Sequence, residues 1–339
     1  MHEMTLDINT IEKTLFLGEG NFSFSANLVR ILGQESLSNV WSSCFESDES
    51  KKELNEQNVE ANDIKLKNIT FLKSRGCHVL AGVDAENLDS DQRLSGKLFS
   101  KIIFMFPHVG GKMKINRNRK LLLNVISSCR KMIEDDGLIV ITLCRGQGGT
   151  PGDTVQRSPS DHWRLVDMCH EADCILTGVE TFPHKQFLDY HQVGYRGLYK
   201  GFNVDGAVVH SIKKREPRIF HCIGHSTSSG KMECKDDFQD KSLYPPHHVH
   251  HLSFWLPPSF SSIEHDHIDN IMSKTGAGCV VTRCKTIQMY KDENSGKRSQ
   301  TIEMEFCDLT RPLGHTRALH LLINIIGKSF ENTYGLDRR

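Results

Sequence analysis

A glycine pair, three acidic side chains and a proline–histidine pair are the residues of this sequence that could build a ligand-binding site. Gly18 and Gly20 flank an acidic residue directly after an apolar run at 15–17, and apolar residues at helical spacing follow. This pattern predicts a strand, a glycine turn and a helix that stops at Gly33. Glycines let a ligand approach the backbone, and a helix start offers free N–H groups, so the turn suits a nucleotide-like ligand. Turns of this kind also occur for packing alone.

Acidic residues follow two further predicted strands. The apolar run at 40–45 is followed by Glu46 and Asp48, and the run at 77–83 is followed by Asp84. In nucleotide-binding α/β folds, an acid after the second strand accepts hydrogen bonds from ribose hydroxyls. Glu46 is the first candidate for this role and Asp48 the second, with a solvated acidic loop as the alternative. Asp84 could contact an adenine ring or cap the next helix.

A fourth strand is predicted from the apolar residues at 101–106, and it runs into Pro107 and His108. A parallel sheet places such a turn beside the ligand cleft, at the carboxyl end of the strand. The apolar run at 138–143 predicts another buried strand, and the glycine-rich loop at 144–151 follows it at the same edge. Three segments that are distant in sequence are therefore expected to meet around one cleft.

Strand and helix patterns alternate from residue 13 to residue 212, which predicts an α/β sheet with crossover helices. Residues 216–243 lose this periodicity and indicate a linker. The remainder gives strand, helix, strand, strand and helix, the order of a small ferredoxin-like α+β unit. The domain prediction is accordingly 1–215, a linker at 216–243, and 244–339, with the tail at 334–339 as a possible last strand.

The charge of the chain is balanced, with 42 Lys and Arg against 42 Asp and Glu among 339 residues. A role with nucleic acid would therefore need a local basic patch. Two stretches provide candidates: Lys112, Lys114, Arg117 and Arg119 in the first, and Tyr195 with Arg196 in the second. The first could instead be an exposed helix start, and the second a hairpin packed on the sheet edge.

Several other classes of protein are disfavoured. No apolar run reaches the roughly 20 residues that span a bilayer, and the N-terminus has neither secretory nor transit character. The 11 cysteines form no C-x-x-C pair, which predicts reduced thiols in a cytosolic or nuclear compartment. On a strand, His248 and His250 would share one face and His247 and His251 the other, so no metal site is expected. The sequence leaves the oligomeric state open.

Two motifs carry a resemblance to a known family. Gly-Glu-Gly-Asn-Phe-Ser-Phe-Ser at 18–25 resembles the opening motif of the Rossmann-like methyltransferases that include eukaryotic rRNA uridine-N3 methyltransferases. Residues 104–108 resemble the Phe-Asn-Phe-Pro-His motif of that family, with Met105 in place of the asparagine. The resemblance implies an S-adenosylmethionine cofactor and a target base beside Pro107 and His108, where His108 could act as a base. The implied cofactor ligands are Gly18, Glu19, Gly20, Asn21, Glu46 and Asp84.

The C-terminal hundred residues carry a second resemblance. Leu-Ser-Phe-Trp-Leu-Pro at 252–257, the predicted hairpin and the arginine-ended tail are similar to the anticodon-binding domain of phenylalanyl-tRNA synthetases. This implies RNA binding, with Arg338 and Arg339 as candidate ligands. Together the two resemblances indicate the animal proteins that join a methyltransferase module to a ferredoxin-fold anticodon-binding domain.

The sequence therefore predicts an S-adenosylmethionine-dependent methyltransferase that acts on rRNA or tRNA. The alternative is a non-catalytic RNA-binding protein with a degenerate methyltransferase scaffold, which Met105 favours and the intact motif at 18–25 opposes. A dehydrogenase is a weaker third reading, because the glycine spacing lacks the full G-x-G-x-x-G pattern.

Overall fold

The structure is a computed structural model, and it describes residues 6–9, 11–33, 36–46, 59–109, 114–193, 201–223 and 240–339. The chain divides into two compact units, Met1–Lys214 and Arg215–Arg339, each with its own hydrophobic core.

The first unit is built on a seven-stranded sheet. Its strands are β1 Thr14–Leu17, β2 Val40–Ser43, β3 His78–Leu80, β4 Phe99–Met105, β5 Ile133–Leu143, β6 Cys174–Thr181 and β7 Val208–Lys214. The strand order is β3-β2-β1-β4-β5-β7-β6. The strands β3, β2, β1, β4 and β5 run parallel to one another, whereas β7 runs antiparallel to both β5 and β6. The predicted α/β sheet is therefore confirmed.

Helices connect the parallel strands. They are α1 Ser23–Leu32, α2 Val59–Ser74, α3 Ile115–Met132 and α4 Leu165–Glu171. In α3 the apolar residues recur every three or four positions, and Leu122, Val125, Ile126 and Cys129 are all buried. Short 3₁₀ turns at Leu88–Ser90 and His184–Gln186 complete the connections.

The centre of the sheet is a switch point in the strand order. β1 pairs with β2 on one side and with β4 on the other. The connection after β1 therefore leads to one side of it, and the chain later crosses to the opposite side to form β4. A crevice opens at such a point outside the carboxyl ends of the strands, and open α/β sheets bind their ligands there. The segments that follow β1, β2 and β4 must meet at this edge.

The second unit is a four-stranded antiparallel sheet of order β11-β8-β10-β9. Its elements are β8 His248–Leu256, α5 His265–Thr275, a 3₁₀ turn Ala277–Cys279, β9 Val281–Lys291, β10 Arg298–Phe306, α6 His315–His320, a π-helical stretch Leu321–Gly327, α7 Lys328–Tyr334 and β11 Asp337–Arg338. The predicted element order is confirmed. The tail also forms the expected last strand, because Asp337 pairs with Trp255 and Arg338 with Phe254.

The segment predicted as a linker makes specific contacts with the second unit where it is described. Arg218 forms an ion pair with Asp308, at 2.5 Å between Nε and Oδ2, and the amide of Ile223 donates to Ser329 Oγ. The amide of Ser242 donates to the Leu309 carbonyl. Missing periodicity therefore marks irregular backbone here, and these polar contacts hold it to the unit.

Two smaller expectations also change. β3 ends at Leu80, before Asp84, because the chain turns at Gly82 with φ of 70°. Cys279 is disulfide-bonded, which departs from the expectation of reduced thiols, whereas the nine other cysteines of the described residues form no disulfide.

Candidate active site

A cavity of about 510 Å³ lies at the carboxyl edge of the first sheet. Four groups of residues line it. They come from the turn after β1, from the turns after β2 and β3, from the turn after β4, and from the segment after β6. Those used below are Gly18, Glu19, Gly20, Asn21, Glu46, Asp84, Met105, Phe106, Pro107, His108, Tyr190, His191, Val193 and Phe202. The volume lies within the range of small-molecule and cofactor sites.

The turn after β1 requires both of its glycines. Gly18 has φ of 64°, and a Cβ there would lie 2.3 Å from the Phe104 ring. At Gly20 a Cβ would lie 2.6 Å from Val193 Cγ2. The following Phe22 also adopts a left-handed backbone, with φ of 59°, although it is not a glycine. Such strain is characteristic of functional turns that the surrounding packing holds in place.

The start of α1 is occupied by the protein itself, which corrects the expectation of free N–H groups. Ser25 donates from its backbone N and from Oγ to Glu19 Oε2, at 3.3 and 3.2 Å. The Ser23 amide donates to Asn21 Oδ1 at 3.1 Å. An incoming pyrophosphate would meet a carboxylate here, so the turn disfavours a dinucleotide. A ligand that carries positive charge fits this turn better.

Glu19 is a buried acid, with 6% of its surface exposed. Burial raises its pKa from 4.5 to about 7, and the hydrogen bonds from Ser25 and Phe24 only partly oppose this. Among the ion pairs of the described residues, none involves Glu19. The cavity wall therefore holds a carboxyl group that a bound cation would ionise.

The other two acidic candidates also line the cavity. Glu46 is half-buried, and its Oε2 accepts a hydrogen bond from Lys65 Nζ at 3.0 Å. Asp84 is half-buried and accepts from the Glu86 amide at 2.9 Å and from Asn87 Nδ2 at 2.7 Å. Asp84 thus stabilises the local turn and faces the cavity at the same time. Asp48 lies outside the described residues.

The turn after β4 is strained at the cavity. Phe106 has φ of 53°, and its amide donates to the Thr142 carbonyl at 2.9 Å. Pro107 is buried, whereas His108 is exposed with Nδ1 3.1 Å from the Phe106 carbonyl. Met105 is 8% exposed, and its sulfur accepts a hydrogen bond from Thr142 Oγ1 at 3.3 Å. The residue that departs from the family motif therefore lines the cavity.

The segment after β6 also belongs to this site, which the sequence pattern did not indicate. The carbonyl of His191 accepts hydrogen bonds from Asn21 Nδ2 at 2.9 Å and from Ser23 Oγ at 3.2 Å. Tyr190 and Phe202 border the same cavity. The only available signal was the density of aromatic residues from 182 onward, which equally fits a packed sheet edge.

The basic residues of the first unit differ in their surroundings. Lys114 precedes α3, and Arg117 is exposed on its first turn. Arg119 instead donates to backbone carbonyls of the 159–162 loop, at 2.7 Å to Pro159 and 2.8 Å to His162. A guanidinium held in this way has little capacity left for phosphate. Lys112, Tyr195 and Arg196 lie outside the described residues.

The two C-terminal arginines are also engaged within the protein. Arg338 forms an ion pair with Glu331 and donates to the Ile323 carbonyl at 3.0 Å. The Arg339 guanidinium lies over the rings of Trp255, at 5.0 Å, and Tyr290, at 4.3 Å. These contacts stabilise the C-terminal strand, so RNA contact by either arginine would compete with them.

The histidines of β8 divide between two faces, as the alternation predicted. His248 and His250 stack with ring centroids 6.3 Å apart, whereas His247 and His251 pair with Glu305 and Glu303. In the described part of the chain, no group of three or more His, Cys, Asp or Glu is arranged to hold a metal ion. None of the described helices combines the length and the apolar character that crossing a membrane requires.

The residues present fit S-adenosylmethionine. The glycine turn allows close approach to the backbone, and acids from the turns after β2 and β3 face the same cavity. The buried Glu19 carboxyl group supplies negative charge for a cationic ligand where a phosphate would be repelled. The turn after β1 therefore suits a cationic ligand better than a pyrophosphate.

The strand order, the antiparallel β7 and the cavity at the switch point define the first unit as a Rossmann-like methyltransferase fold. The family profile described as rRNA (uridine-N3-)-methyltransferase BTM5-like matches residues 15–194. The chain belongs to this BMT5-like family.

The chain is also similar to two curated relatives. Ferredoxin-fold anticodon-binding domain-containing protein 1 of Homo sapiens is 34% identical over 214 residues, covering 61% of this chain and 33% of that protein. Its Mus musculus homolog is 33% identical over 205 residues, covering 60% and 31%. The chain thus spans about a third of the length of these relatives. They confirm the predicted resemblance to animal proteins that carry a ferredoxin-fold anticodon-binding domain.

Solved structures similar to this chain include methyltransferases. The CcbJ methyltransferase from Streptomyces caelestis has a TM-score of 0.35 at 13% identity, covering 60% of this chain and 83% of that one. A variant of the 16S rRNA (adenine(1408)-N(1))-methyltransferase from Catenulisporales acidiphilia has a TM-score of 0.35 at 12% identity, covering 62% and 87%.

Proposed function

We propose that this protein is an S-adenosylmethionine-dependent RNA methyltransferase that modifies N3 of uridine in rRNA or tRNA, in the cytoplasm or the nucleolus. One observation carries the proposal. A single cavity joins the glycine turn after β1 to the Pro107–His108 turn after β4. A methyl donor and a target base need such a shared space, because transfer requires their reacting atoms to be adjacent.

On the donor side of the cavity, each residue would contact a different part of the methyl donor. The backbone at Gly18, Gly20 and Asn21 would contact the donor, with Glu46 at its ribose hydroxyls and Asp84 at its adenine. Glu19 would supply the counter-charge, since it is the buried acid of the turn. When bound, S-adenosylmethionine supplies a methyl group activated by a sulfonium.

The target side would be formed by Pro107 and His108. Uridine N3 carries a weakly acidic proton, so a base should help at neutral pH. His108 Nδ1 lies 3.1 Å from the Phe106 carbonyl, and a proton on Nδ1 would leave Nε2 as the basic nitrogen. The exposed imidazole could then accept the N3 proton and release it to water.

RNA would be recognised by both units. We propose that residues 1–215 form the methyltransferase domain, followed by a linker at 216–243, and that residues 244–339 form an RNA-binding domain of ferredoxin-like fold. In the first, Lys114 and the exposed Arg117 would pair with phosphates close to the cavity. In the second, the similarity to anticodon-binding domains supports a role with tRNA.

Calorimetry with S-adenosylmethionine tests the donor site. We expect micromolar binding to the wild type, and binding that is lost in Asp84→Ala and in Gly20→Val. The valine side chain would meet Val193, since even a Cβ at Gly20 lies 2.6 Å from its Cγ2. Asp89→Ala is the matched control, because Asp89 is exposed and pairs with Lys131. Absence of binding to the folded wild type would contradict the proposal.

A second assay tests the reaction. Deproteinised total RNA from eukaryotic cells is incubated with protein and donor, digested to nucleosides and analysed by mass spectrometry. We expect new 3-methyluridine with the wild type and none with Asp84→Ala. Methylation at another base or atom would contradict the uridine-N3 assignment and leave donor binding intact.

The identity of Met105 favours a second candidate function, a non-catalytic RNA-binding protein. Its thioether lines the cavity and accepts from Thr142, whereas an asparagine there would offer both a donor and an acceptor to a base edge. Met105→Asn separates the two. Under the enzyme proposal the variant retains or increases transfer above an already measurable wild-type rate. Transfer that appears only in the variant would favour the non-catalytic function.

A further inference from the structure

Tyr190 lines the cavity together with the turns after β1 and β4. Its ring packs edge-on against Phe24 and Phe182, with centroids 5.3 and 6.2 Å away, and parallel to Phe106 at 6.5 Å. Its amide donates to the Phe187 carbonyl at 3.1 Å. These contacts fix the position of the ring.

The segment that carries Tyr190 is fastened to the donor turn. The next residue, His191, is bonded through its carbonyl to Asn21 and Ser23, and its amide donates to Ser23 Oγ at 3.0 Å. Two residues further, Val193 packs on Gly20. The phenol is thus held on both sides, by the aromatic core and by the glycine turn.

The hydroxyl of Tyr190 has no hydrogen-bond partner among the residues that the structure describes, although the residue is half-buried. Buried tyrosines normally find a partner for this group. The hydroxyl oxygen is not fully enclosed by the protein, and Tyr190 lines the cavity. A bound ligand is therefore the natural partner of this hydroxyl.

The charges around the phenol determine what it can offer. Burial raises the pKa of Tyr190 well above 10, and the Glu19 and Cys144 side chains raise it further. The other titratable groups that line the cavity are Cys44, Glu46, Asp84, Glu86, His108 and His191. Tyr190 therefore keeps its proton at neutral pH and can donate a hydrogen bond to an acceptor on the ligand.

We propose that the Tyr190 hydroxyl donates a hydrogen bond to a carbonyl oxygen of the target uracil adjacent to N3. This inference rests on the function proposed above. When the N3 proton passes to His108, the negative charge left on the base spreads onto its two carbonyl oxygens, and a donor at one of them stabilises it. Tyr190 would thereby lower the pKa of N3–H in the bound base.

The test compares the wild type with Tyr190→Phe, which removes the hydroxyl and keeps the ring. Tyr334→Phe is the control, since that hydroxyl accepts from Asn270 in the second unit. S-adenosylmethionine binding is measured by calorimetry. Formation of 3-methyluridine in deproteinised RNA is followed from pH 6.5 to pH 9. The folded state of each variant is checked by its thermal melt.

For Tyr190→Phe we expect a donor Kd within twofold of the wild type and a kcat about 10- to 100-fold lower at pH 7, as for loss of a hydrogen bond to a charged group. The deficit should shrink as pH rises toward the pKa of uridine N3, where the base loses its proton unaided. A purely structural role of the hydroxyl would not change the slope of the pH profile.

Three results would overturn the inference. An unchanged kcat and pH profile would show that the hydroxyl does not contact the base. A large loss of donor affinity with normal turnover of the bound complex would assign it to the donor. A wild type that binds donor but forms no 3-methyluridine would show that uridine N3 is not the target, so the hydroxyl would have no uracil to contact. The proposed function fails separately, if the wild type binds no donor at all.

Discussion

Replacing Glu19 with glutamine should change how the stability of the protein depends on pH. Burial raises the pKa of Glu19 from 4.5 to about 7, so the folded protein holds a proton there that the unfolded chain releases. Stability is then greatest below pH 4.5, falls as pH rises from 4.5 to 7, and remains lowered above pH 7. At 1.36 kcal/mol per pKa unit, the loss is about 3 kcal/mol. Glutamine does not ionise and can still accept from Ser25.

The assay is urea unfolding followed by tryptophan fluorescence. A Trp255→Phe background leaves Trp41 and Trp163, both buried and both in the first unit. We expect the Glu19 protein to lose about 2.5 kcal/mol of unfolding free energy between pH 5 and pH 8.5 relative to Glu19→Gln. The two proteins should be nearly equally stable at pH 5. Glu180→Gln, at the half-exposed end of β6, is the matched control.

The same substitution should weaken donor binding. Glu19→Gln removes the counter-charge of the cavity, so we expect lower affinity for S-adenosylmethionine together with higher stability at pH 8.5. Parallel stability curves for the two proteins from pH 5 to pH 8.5 would refute the reasoning. They would mean that Glu19 ionises at its ordinary pKa and is not desolvated.

Three further predictions follow from single contacts. Gly18→Ala should lower the unfolding free energy by about 2 kcal/mol and weaken donor binding, because φ is 64° there, as measured by denaturation and calorimetry. Arg119→Ala should cost about 2 kcal/mol through its lost carbonyl bonds, and Arg117→Ala almost nothing in the same melt; equal effects would contradict this. Asp308→Ala should cost about 3 kcal/mol, read from Trp255 fluorescence, because it removes the carboxylate that pairs with the partly buried Arg218 guanidinium.

The local elements of this fold could be predicted from the sequence because their signals are local. Apolar runs between turn residues gave the strands, and the spacing of Leu122, Val125, Ile126 and Cys129 gave the face of α3. The glycine turn at 18–20 and the Pro107 turn were placed at strand ends for the same reason. Parallel strand order then brings those ends together, so the gathering of Glu46 and Asp84 around one cavity was also foreseeable.

Tertiary structure decided how each of those residues behaves. The sequence shows Glu19 beside glycines, but only packing buries it, directs its carboxylate to Ser25 and raises its pKa. From the sequence, Arg119 and Arg339 are basic residues that could bind phosphate. In the fold, Arg119 donates to a backbone carbonyl distant in sequence, and Arg339 packs over an aromatic ring. Tyr190 joins the site from residues far along the chain. Periodicity reports which face of an element is buried, whereas desolvation and hydrogen-bond pairing depend on groups that only the folded chain brings near.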